Sequence, residues 1–177
     1  MAYPKTPPLT QVLLKSLLHY EASTGVFTWL VGKRGAAHAG KVAGCPLRRT
    51  QPNTYHVIRV GGRLYAAHRL AWFYVYGWWP QYIDHKNTLK ADNRLDNLRA
   101  STKAQNGHNV GLRTTNTSGF KGVHRASRAK RRTKPWVAEI CTQGERRCIG
   151  YFETPEKAAA AYQAAALKEH GEFARTT

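Results

Sequence analysis

Residues 82–109 constrain the fold most, because the sequence pattern changes three times within this short segment. Tyr82 begins a short apolar strand, and a polar loop follows at residues 86–94. Leu95 to Leu98 returns as a second strand, and a helix follows that strand. A strand, a loop, a returning strand and a helix in so few residues predict a small two-strand, one-helix unit.

Helices are predicted at residues 9–20, 68–77, from Ser101 or Thr102 to about Asn109, and from Pro155 onward. Residues 68–77 (HRLAWFYVYG) are apolar on nearly every side and stop at Gly77, which favours a buried helix. His68 opens this helix, so we expect a structural role for it. Thr154 is a suitable N-cap for the last helix, whose Ala-rich sequence makes it narrow enough to lie close to a sheet.

Strands are predicted at residues 26–29, 55–60, 63–66, 119–125, 135–142 and 146–152. The Gly61-Gly62 pair between two of them predicts a tight hairpin, because such turns need positive φ angles. Residues 32–53 are rich in Gly, Arg and Pro and are expected to form a loop. On residues 135–142, Trp136, Ala138 and Ile140 are expected to share one face of the sheet.

The charge of the chain points to a polyanionic partner. Lys and Arg total 28 against 10 acidic residues, which gives a net charge of +18. Residues 1–109 hold 15 basic and 4 acidic residues, and residues 110–177 hold 13 and 6. Because both parts are basic, both are expected to contact nucleic acid, from which they would release condensed counterions.

Cysteine usage and hydropathy narrow the class of protein further. Cys45, Cys141 and Cys148 form no CxxC pair, which argues against a disulfide framework and a four-cysteine zinc site. No apolar run reaches the length of a membrane span, and the N-terminus lacks the apolar core of a signal peptide. We therefore expect reduced thiols, no membrane partner and a cytoplasmic location.

Four polar residues of the 82–109 segment have the chemistry for phosphodiester hydrolysis, namely Asp84, His85, Asn97 and Asn106. His85 suits a general base because the pKa of histidine lies near neutral pH. Asn97 is expected on the facing strand, where its side-chain carbonyl would accept a hydrogen bond from one ring nitrogen of His85. Asp84 and Asn106 offer two oxygens to a hard cation such as Mg²⁺. Each residue alone has a simpler explanation as a surface pair, a turn or a cap, and only the combination is specific.

The segments HRLAWFYVYGWWP and IDHKNTLKADNRLDNLRASTKAQN resemble the HNH homing endonucleases of phages and introns, within the ββα-metal (His-Me finger) group. The resemblance covers residues 55–109. It implies that His85 is the general base, that Asn97 orients it, and that Asp84 and Asn106 bind one divalent cation, Mg²⁺ or Mn²⁺. Thr88 and Leu89 stand where the family often has Asp and Gly. The residues expected near the substrate are Asn93, Arg94 and Arg99.

Residues 116–173 resemble the APETALA2-type DNA-binding domain of plant transcription factors and phage HNH proteins, through SGFKGVHR, WVAEI and IGYFETPEKAAAAYQAAALKEHGEFA. The resemblance implies a three-stranded antiparallel sheet whose free face enters the major groove. His124 and Ala126 stand where arginine is usual, and Cys148 replaces a tryptophan, so contact with the DNA backbone is better supported than base reading. The residues expected at DNA are Lys121, His124, Arg125, Arg128, Arg131, Arg132, Glu139, Arg146 and Arg147.

The sequence thus predicts an α+β fold, with a ββα-metal HNH nuclease core followed by a three-stranded antiparallel sheet packed on one helix. The expected divisions are an N-terminal region, the nuclease core, a linker and the second domain, at residues 1–54, 55–109, 110–118 and 119–177. The expected partner is double-stranded DNA, with no organic cofactor and no structural zinc. A non-catalytic DNA-binding regulator derived from such a nuclease is the main alternative, and an RNA-binding or structural-RNA protein is another.

Overall fold

The chain forms two compact units of mixed helix and strand. The first unit is Met1–Ser101 and the second is Thr102–Thr177. The computed structural model describes residues 9–32, 38–48, 53–112, 114–127, 133–142 and 144–175. The predicted α+β class is confirmed. Within the described residues, no helix is both long enough and apolar enough to cross a membrane.

The first unit contains two helices and seven strands among its described residues: α1 (Gln11–Leu17), β1 (Leu18–Glu21), β2 (Val26–Trp29), β3 (Cys45–Pro46), β4 (His56–Val60), β5 (Arg63–Ala66), α2 (Ala67–Tyr76), β6 (Tyr82–His85) and β7 (Leu98–Ser101). The strands form the sheets β1-β2, β3-β4-β5 and β6-β7, and every pairing is antiparallel. One hydrophobic core joins these elements, with Leu14, Phe27, Ile58 and Leu70 among its most buried side chains. The N-terminal elements therefore pack in the same core as β6 and β7.

The β4-β5 hairpin and α2 form where the local sequence predicts them. Gly61 and Gly62 have φ angles of 55° and 81°, which are the positive values that a tight hairpin turn requires. Helix α2 ends at Gly77, which takes the left-handed conformation and donates its N–H to the carbonyl of Phe73.

Two predicted elements of the first unit are wrong in extent. The helix predicted at 9–20 ends at Leu17, because Leu18 is extended and pairs with Trp29 on β2. The strand predicted at 95–98 is instead a single 3-10 turn at Leu95–Asn97, and β7 begins only at Leu98. At Leu18 the pairing with β2 overrides the helical pattern. At Leu95 the backbone N–H donates to the carbonyl of Ala22, so this segment lies outside the β6-β7 ladder.

The second unit contains α3 (Lys103–His108), β8 (Val123–Arg125), β9 (Trp136–Thr142), β10 (Glu145–Phe152) and α4 (Pro155–His170), followed by a 3-10 turn at Gly171–Phe173. The three strands form an antiparallel sheet in the order β10-β9-β8. Ala138 and Ile140 of β9 face α4, as the alternation predicts. The small side chains of Ala158 and Ala166 let the helix lie close to the sheet.

Candidate active site

Strands β6 and β7 bring Asp84 and His85 into the interior of the first unit. Asp84 is paired with Arg99 and His85 with Leu98 across the antiparallel ladder. Because neighbouring residues on a strand point to opposite faces, the two side chains diverge. Each is only 5% exposed. The site is thus built from buried side chains on the last two residues of β6.

Asp84 forms a buried ion pair with Arg99. The Nε and Nη2 atoms of Arg99 donate to Oδ2 of Asp84 at 2.9 and 2.7 Å. Arg99 was predicted to contact the substrate, and its burial at 9% exposure does not fit that role. The two residues face each other on adjacent strands, so Arg99 instead compensates the buried carboxylate.

The His85 imidazole lies in an aromatic pocket formed by Tyr55 and His68. The centroid of its ring lies 5.1 Å from that of His68, in an edge-to-face arrangement, and 6.0 Å from that of Tyr55. Tyr55 and His68 are themselves 4.8 Å apart. His68 begins α2 and Tyr55 precedes β4, so three separate segments hold the ring.

Burial favours the neutral form of both imidazoles. It lowers the pKa of His85, although the neighbouring Asn93 side chain and the carboxylates of Asp84 and Asp92 act in the opposite direction. Burial, with the neighbouring His85, lowers the pKa of His68 to about 3. His85 is therefore in the state that can accept a proton at neutral pH.

Asn97 organises the loop between β6 and β7 and does not contact the His85 ring. Its Oδ1 atom accepts from the backbone N–H of Asn87 at 3.0 Å, and its Nδ2 atom donates to the carbonyl of Asp92 at 2.8 Å. The predicted hydrogen bond between Asn97 and His85 is therefore wrong. Asn97 lies in the 3-10 turn before β7, where its side chain reaches the loop backbone.

Asn93 takes the place beside His85 that was predicted for Asn97. It is buried at 3% exposure, its Nδ2 atom donates to the carbonyl of Ala91 at 3.1 Å, and its side chain lies close enough to His85 to raise the pKa of that ring. The hydroxyl of Tyr20 donates to the Asn93 carbonyl at 2.7 Å, so β1 fixes this part of the loop. The burial of Asn93 does not fit direct substrate contact, and its position in a polar loop hid its role in the sequence.

Arg94 is exposed and is held by Asp92. Its Nε and Nη2 atoms donate to the two oxygens of the Asp92 carboxylate at 2.9 and 2.7 Å. These bonds hold the pKa of Asp92 down at about 2. Arg94 can reach solvent beside the loop, and its contact with substrate stays a prediction.

Thr88, in the loop between β6 and β7, adopts the left-handed backbone conformation, with a φ angle of 64°. The resemblance places the family's glycine at Leu89. The backbone angle that favours glycine occurs one residue earlier, at Thr88. The N–H of Thr88 donates to the carbonyl of His85 at 2.8 Å, which closes a tight turn directly after β6.

Asn106 lies on α3, in the second unit. This helix begins at a complete capping box, in which Thr102 and Gln105 each accept a hydrogen bond from the backbone of the other. The backbone N–H of Asn106 donates to the carbonyl of Thr102, and its side chain is half-buried. The role of Asn106 at a metal stays a prediction.

Asp84 and Asn106 each carry an oxygen donor of the kind that a hard cation prefers, and their joint role at one cation stays a prediction. Mg²⁺ binds carboxylate and carbonyl oxygens and keeps several waters, so two protein ligands suffice. Among the described residues, no group of three or more His, Cys, Asp or Glu side chains could hold a metal ion. An ion bound at Asp84 would share that carboxylate with the guanidinium of Arg99.

Two of the residues predicted to contact DNA are hydrogen-bonded within the second unit. Lys121 donates to the carbonyls of His108 and Val110, and Arg147 donates to Glu169 of α4 at 2.7 Å. Both side chains are thus engaged within the protein. Arg128, Arg131 and Arg132 lie outside the described residues.

The remaining predicted contacts, His124, Arg125, Glu139 and Arg146, lie on the strands of this sheet. His124 lies 3.9 Å from Glu139, and the Arg125 guanidinium lies over the Trp136 ring. His124, Glu139 and Arg146 line a groove of about 590 Å³, which residues 110–112 and 115–117 border on the other side. Their contact with DNA stays a prediction.

One family model matches a part of the chain. Residues 65–108 match the HNH endonuclease family. The matched segment contains Asp84, His85, Asn97 and Asn106, and this match supports a nuclease that acts on DNA. No curated protein and no solved structure matches the chain.

Proposed function

We propose that this protein is a metal-dependent DNA endonuclease, a phosphodiester hydrolase in which His85 is the general base. The HNH endonuclease match over residues 65–108 carries this proposal. It is supported by the placement of Asp84 and His85 at the end of β6, with His85 buried between two rings. The APETALA2-like module is proposed as a second DNA-docking part.

The chemistry assigned to His85 follows from its surroundings. A base that activates water must be unprotonated, and burial lowers the pKa of His85. The walls formed by Tyr55 and His68 restrict how the ring can turn. His85 is thus held neutral and oriented before substrate arrives.

Asp84 and Asn106 would hold one divalent cation, Mg²⁺ or Mn²⁺. When bound, this cation would stabilise the negative charge that develops on the phosphate and on the leaving oxygen. Asp84 supplies a carboxylate whose direction the Nε and Nη2 atoms of Arg99 fix. Asn106 supplies an amide oxygen from α3, the first helix of the second unit.

The net charge of +18, shared by both parts of the chain, supports duplex DNA as the substrate. We expect a homing-type enzyme that leaves 5′-phosphate and 3′-hydroxyl ends, as the resemblance implies. Two weak DNA contacts on one chain raise the overall affinity through effective concentration. Such an enzyme suits an extended target and a cytoplasmic location.

The deciding experiment is the nicking of supercoiled plasmid by the full chain with Mg²⁺, with Mn²⁺ or with EDTA. We expect relaxed or linear DNA only with metal, and a loss of at least about 100-fold for His85→Ala, the usual contribution of a general base. His19→Ala is the matched control, since His19 is exposed on β1. If the wild type and His85→Ala leave the plasmid equally intact, the enzyme proposal is wrong.

The second candidate is a non-catalytic DNA-binding regulator with the same fold. The ion pair between Asp84 and Arg99 favours it, because this pair already engages the carboxylate proposed for the cation. A regulator would bind duplex DNA and protect it without cleavage under all metal conditions. Footprinting on plasmid that stays supercoiled would support this candidate.

A further inference from the structure

The C-terminal end of α3 is fixed by a lysine that was expected to contact DNA. Lys121 lies just before β8, and its Nζ atom donates to the carbonyls of His108 and Val110, at 2.8 Å in the second case. The His108 carbonyl belongs to the last residue of α3 and has no partner within the helix, and the Val110 carbonyl lies two residues beyond it. Lys121 is half-buried, and burial lowers its pKa to about 8, together with the charge of Arg175.

A second contact fixes the same end of α3. The ring of His108 stacks on the ring of His170, the last residue of α4, with centroids 3.7 Å apart and planes at 15°. Gly111, just beyond the helix, lies against the guanidinium of Arg175. The end of α3 is therefore held by two other parts of the second unit, through Lys121 and through His170.

Helix α3 depends on these attachments for its order. It has only six residues, and none of them is buried. Isolated helices shorter than about 12 residues are marginal in water. The capping box fixes the first turn, and the contacts of Lys121 and the His108–His170 stack hold the last turn.

We propose that Lys121 is a positioning residue, which orders α3 and thereby sets the direction of Asn106 for metal binding. This inference rests on the proposed function, which makes Asn106 a ligand. Asn106 lies two residues before His108, whose carbonyl Lys121 holds. The second unit is then a working part of the nuclease as well as a DNA-docking module.

The alternative for Lys121 is direct contact with DNA phosphate. The two roles predict different behaviour in the full chain when the ammonium is removed. A phosphate contact contributes affinity, and its loss reduces the salt slope of DNA binding by about one. A positioning residue contributes to the order of α3 and to the metal requirement, and its loss leaves DNA affinity unchanged.

The test compares Lys121→Met, Lys121→Arg and the control Lys168→Met, which changes an exposed lysine of α4. Hydrogen exchange of residues 106–110 reports the order of α3 without metal or DNA. We expect exchange about tenfold faster in Lys121→Met, as loss of a hydrogen bond to a charged group implies. Lys121→Arg, which keeps donors, restores protection in part, and Lys168→Met changes nothing.

The second measurement is the metal concentration that gives half-maximal nicking, together with the affinity for duplex DNA in EDTA. We expect Lys121→Met to raise the metal midpoint several-fold, with DNA affinity and its salt slope unchanged. The inference is overturned if exchange of α3 is unchanged, or if DNA affinity and the salt slope fall instead.

Asn106→Ala separates failure of this inference from failure of the proposed function. If Asn106→Ala raises the metal midpoint and Lys121→Met does not, the positioning role is wrong and the metal assignment stands. If Asn106→Ala leaves the midpoint unchanged in an active nuclease, the metal assignment is wrong and the inference falls with it.

Discussion

Gly25 lies directly against the main chain of Asn93, so that a Cβ atom on Gly25 would stand 2.4 Å from the Asn93 carbonyl carbon. The same turn accepts a second contact, from the N–H of Leu95 to the carbonyl of Ala22 at 3.1 Å. The β1-β2 hairpin is thus the support on which the loop beside His85 rests.

Gly25→Ala is therefore expected to destabilise the first unit strongly. Gly25 has a φ angle of 73°, and the added methyl group would have to displace backbone. We expect a loss of about 2 kcal/mol or more, from the left-handed conformation and the overpacking together. Urea unfolding measures it, and nicking activity should fall as the Asn93 loop shifts.

The control for Gly25→Ala is Gly40→Ala. Gly40 has a similar φ angle of 78°, but nothing lies within 4 Å of its Cβ position. It isolates the conformational cost, which we expect to be about 1–2 kcal/mol. Equal losses in the two variants would contradict a supporting role for the Gly25 turn.

Arg99→Met is expected to destabilise the protein by about 3–5 kcal/mol, because it leaves the buried Asp84 carboxylate without its guanidinium. Chemical unfolding at pH 7 measures this loss. The double variant Asp84→Asn with Arg99→Met should recover part of the stability, since it removes the buried charge as well. Arg94→Met is the control, because Arg94 pairs with Asp92 at the surface and should change stability little.

Local rules were sufficient where an element is determined by its own residues. The Gly61-Gly62 turn, the Gly77 stop of α2 and the Thr154 cap of α4 all form as the sequence predicts. Each depends on a backbone angle or a cap within a few residues of the element. Asp84 and His85 likewise lie at the end of one short strand, β6, as the local pattern predicts.

The errors arise where long-range pairing decides the outcome. Leu18 continues a helical pattern but pairs with Trp29, and Arg99 reads as a basic DNA contact but faces Asp84. Asn93 and Asn97 are alike in the sequence, and only the course of the loop decides which one meets His85. Strand register and loop path are tertiary properties, so a single sequence carries little information about them.

Thr88→Gly is expected to stabilise the protein by about 0.5–1 kcal/mol. A β-branched residue is strained at a φ angle of 64°, and glycine removes this strain at a smaller entropic cost in the unfolded chain. The hydrogen bonds of the Thr88 backbone, to His85 and to the Asn53 side chain, remain. Thermal unfolding should show a higher midpoint for Thr88→Gly than for Thr88→Ala, and the reverse order would mean that the Thr88 side chain itself stabilises the loop.

His68 makes stability depend on pH below neutrality, and His68→Phe is expected to remove that dependence. The pKa of His68 is about 3 in the folded chain, against an ordinary value of 6.5. Below pH 6.5 the unfolded chain therefore takes up a proton that the folded chain does not. As the pH is lowered below 6.5, the contribution of His68 should decrease the free energy of unfolding by up to about 1.4 kcal/mol per pH unit.

The comparison of wild type, His68→Phe and the exposed control His19→Phe between pH 6.5 and 4.5 isolates this contribution. The Nδ1 atom of His68 is buried without a hydrogen-bond partner among the described residues, so phenylalanine leaves no new unpaired group at that atom. A flatter pH dependence in His68→Phe alone is the expected result. If all three proteins lose stability equally, His68 is protonated in the folded chain, and the buried imidazole beside His85 carries a positive charge.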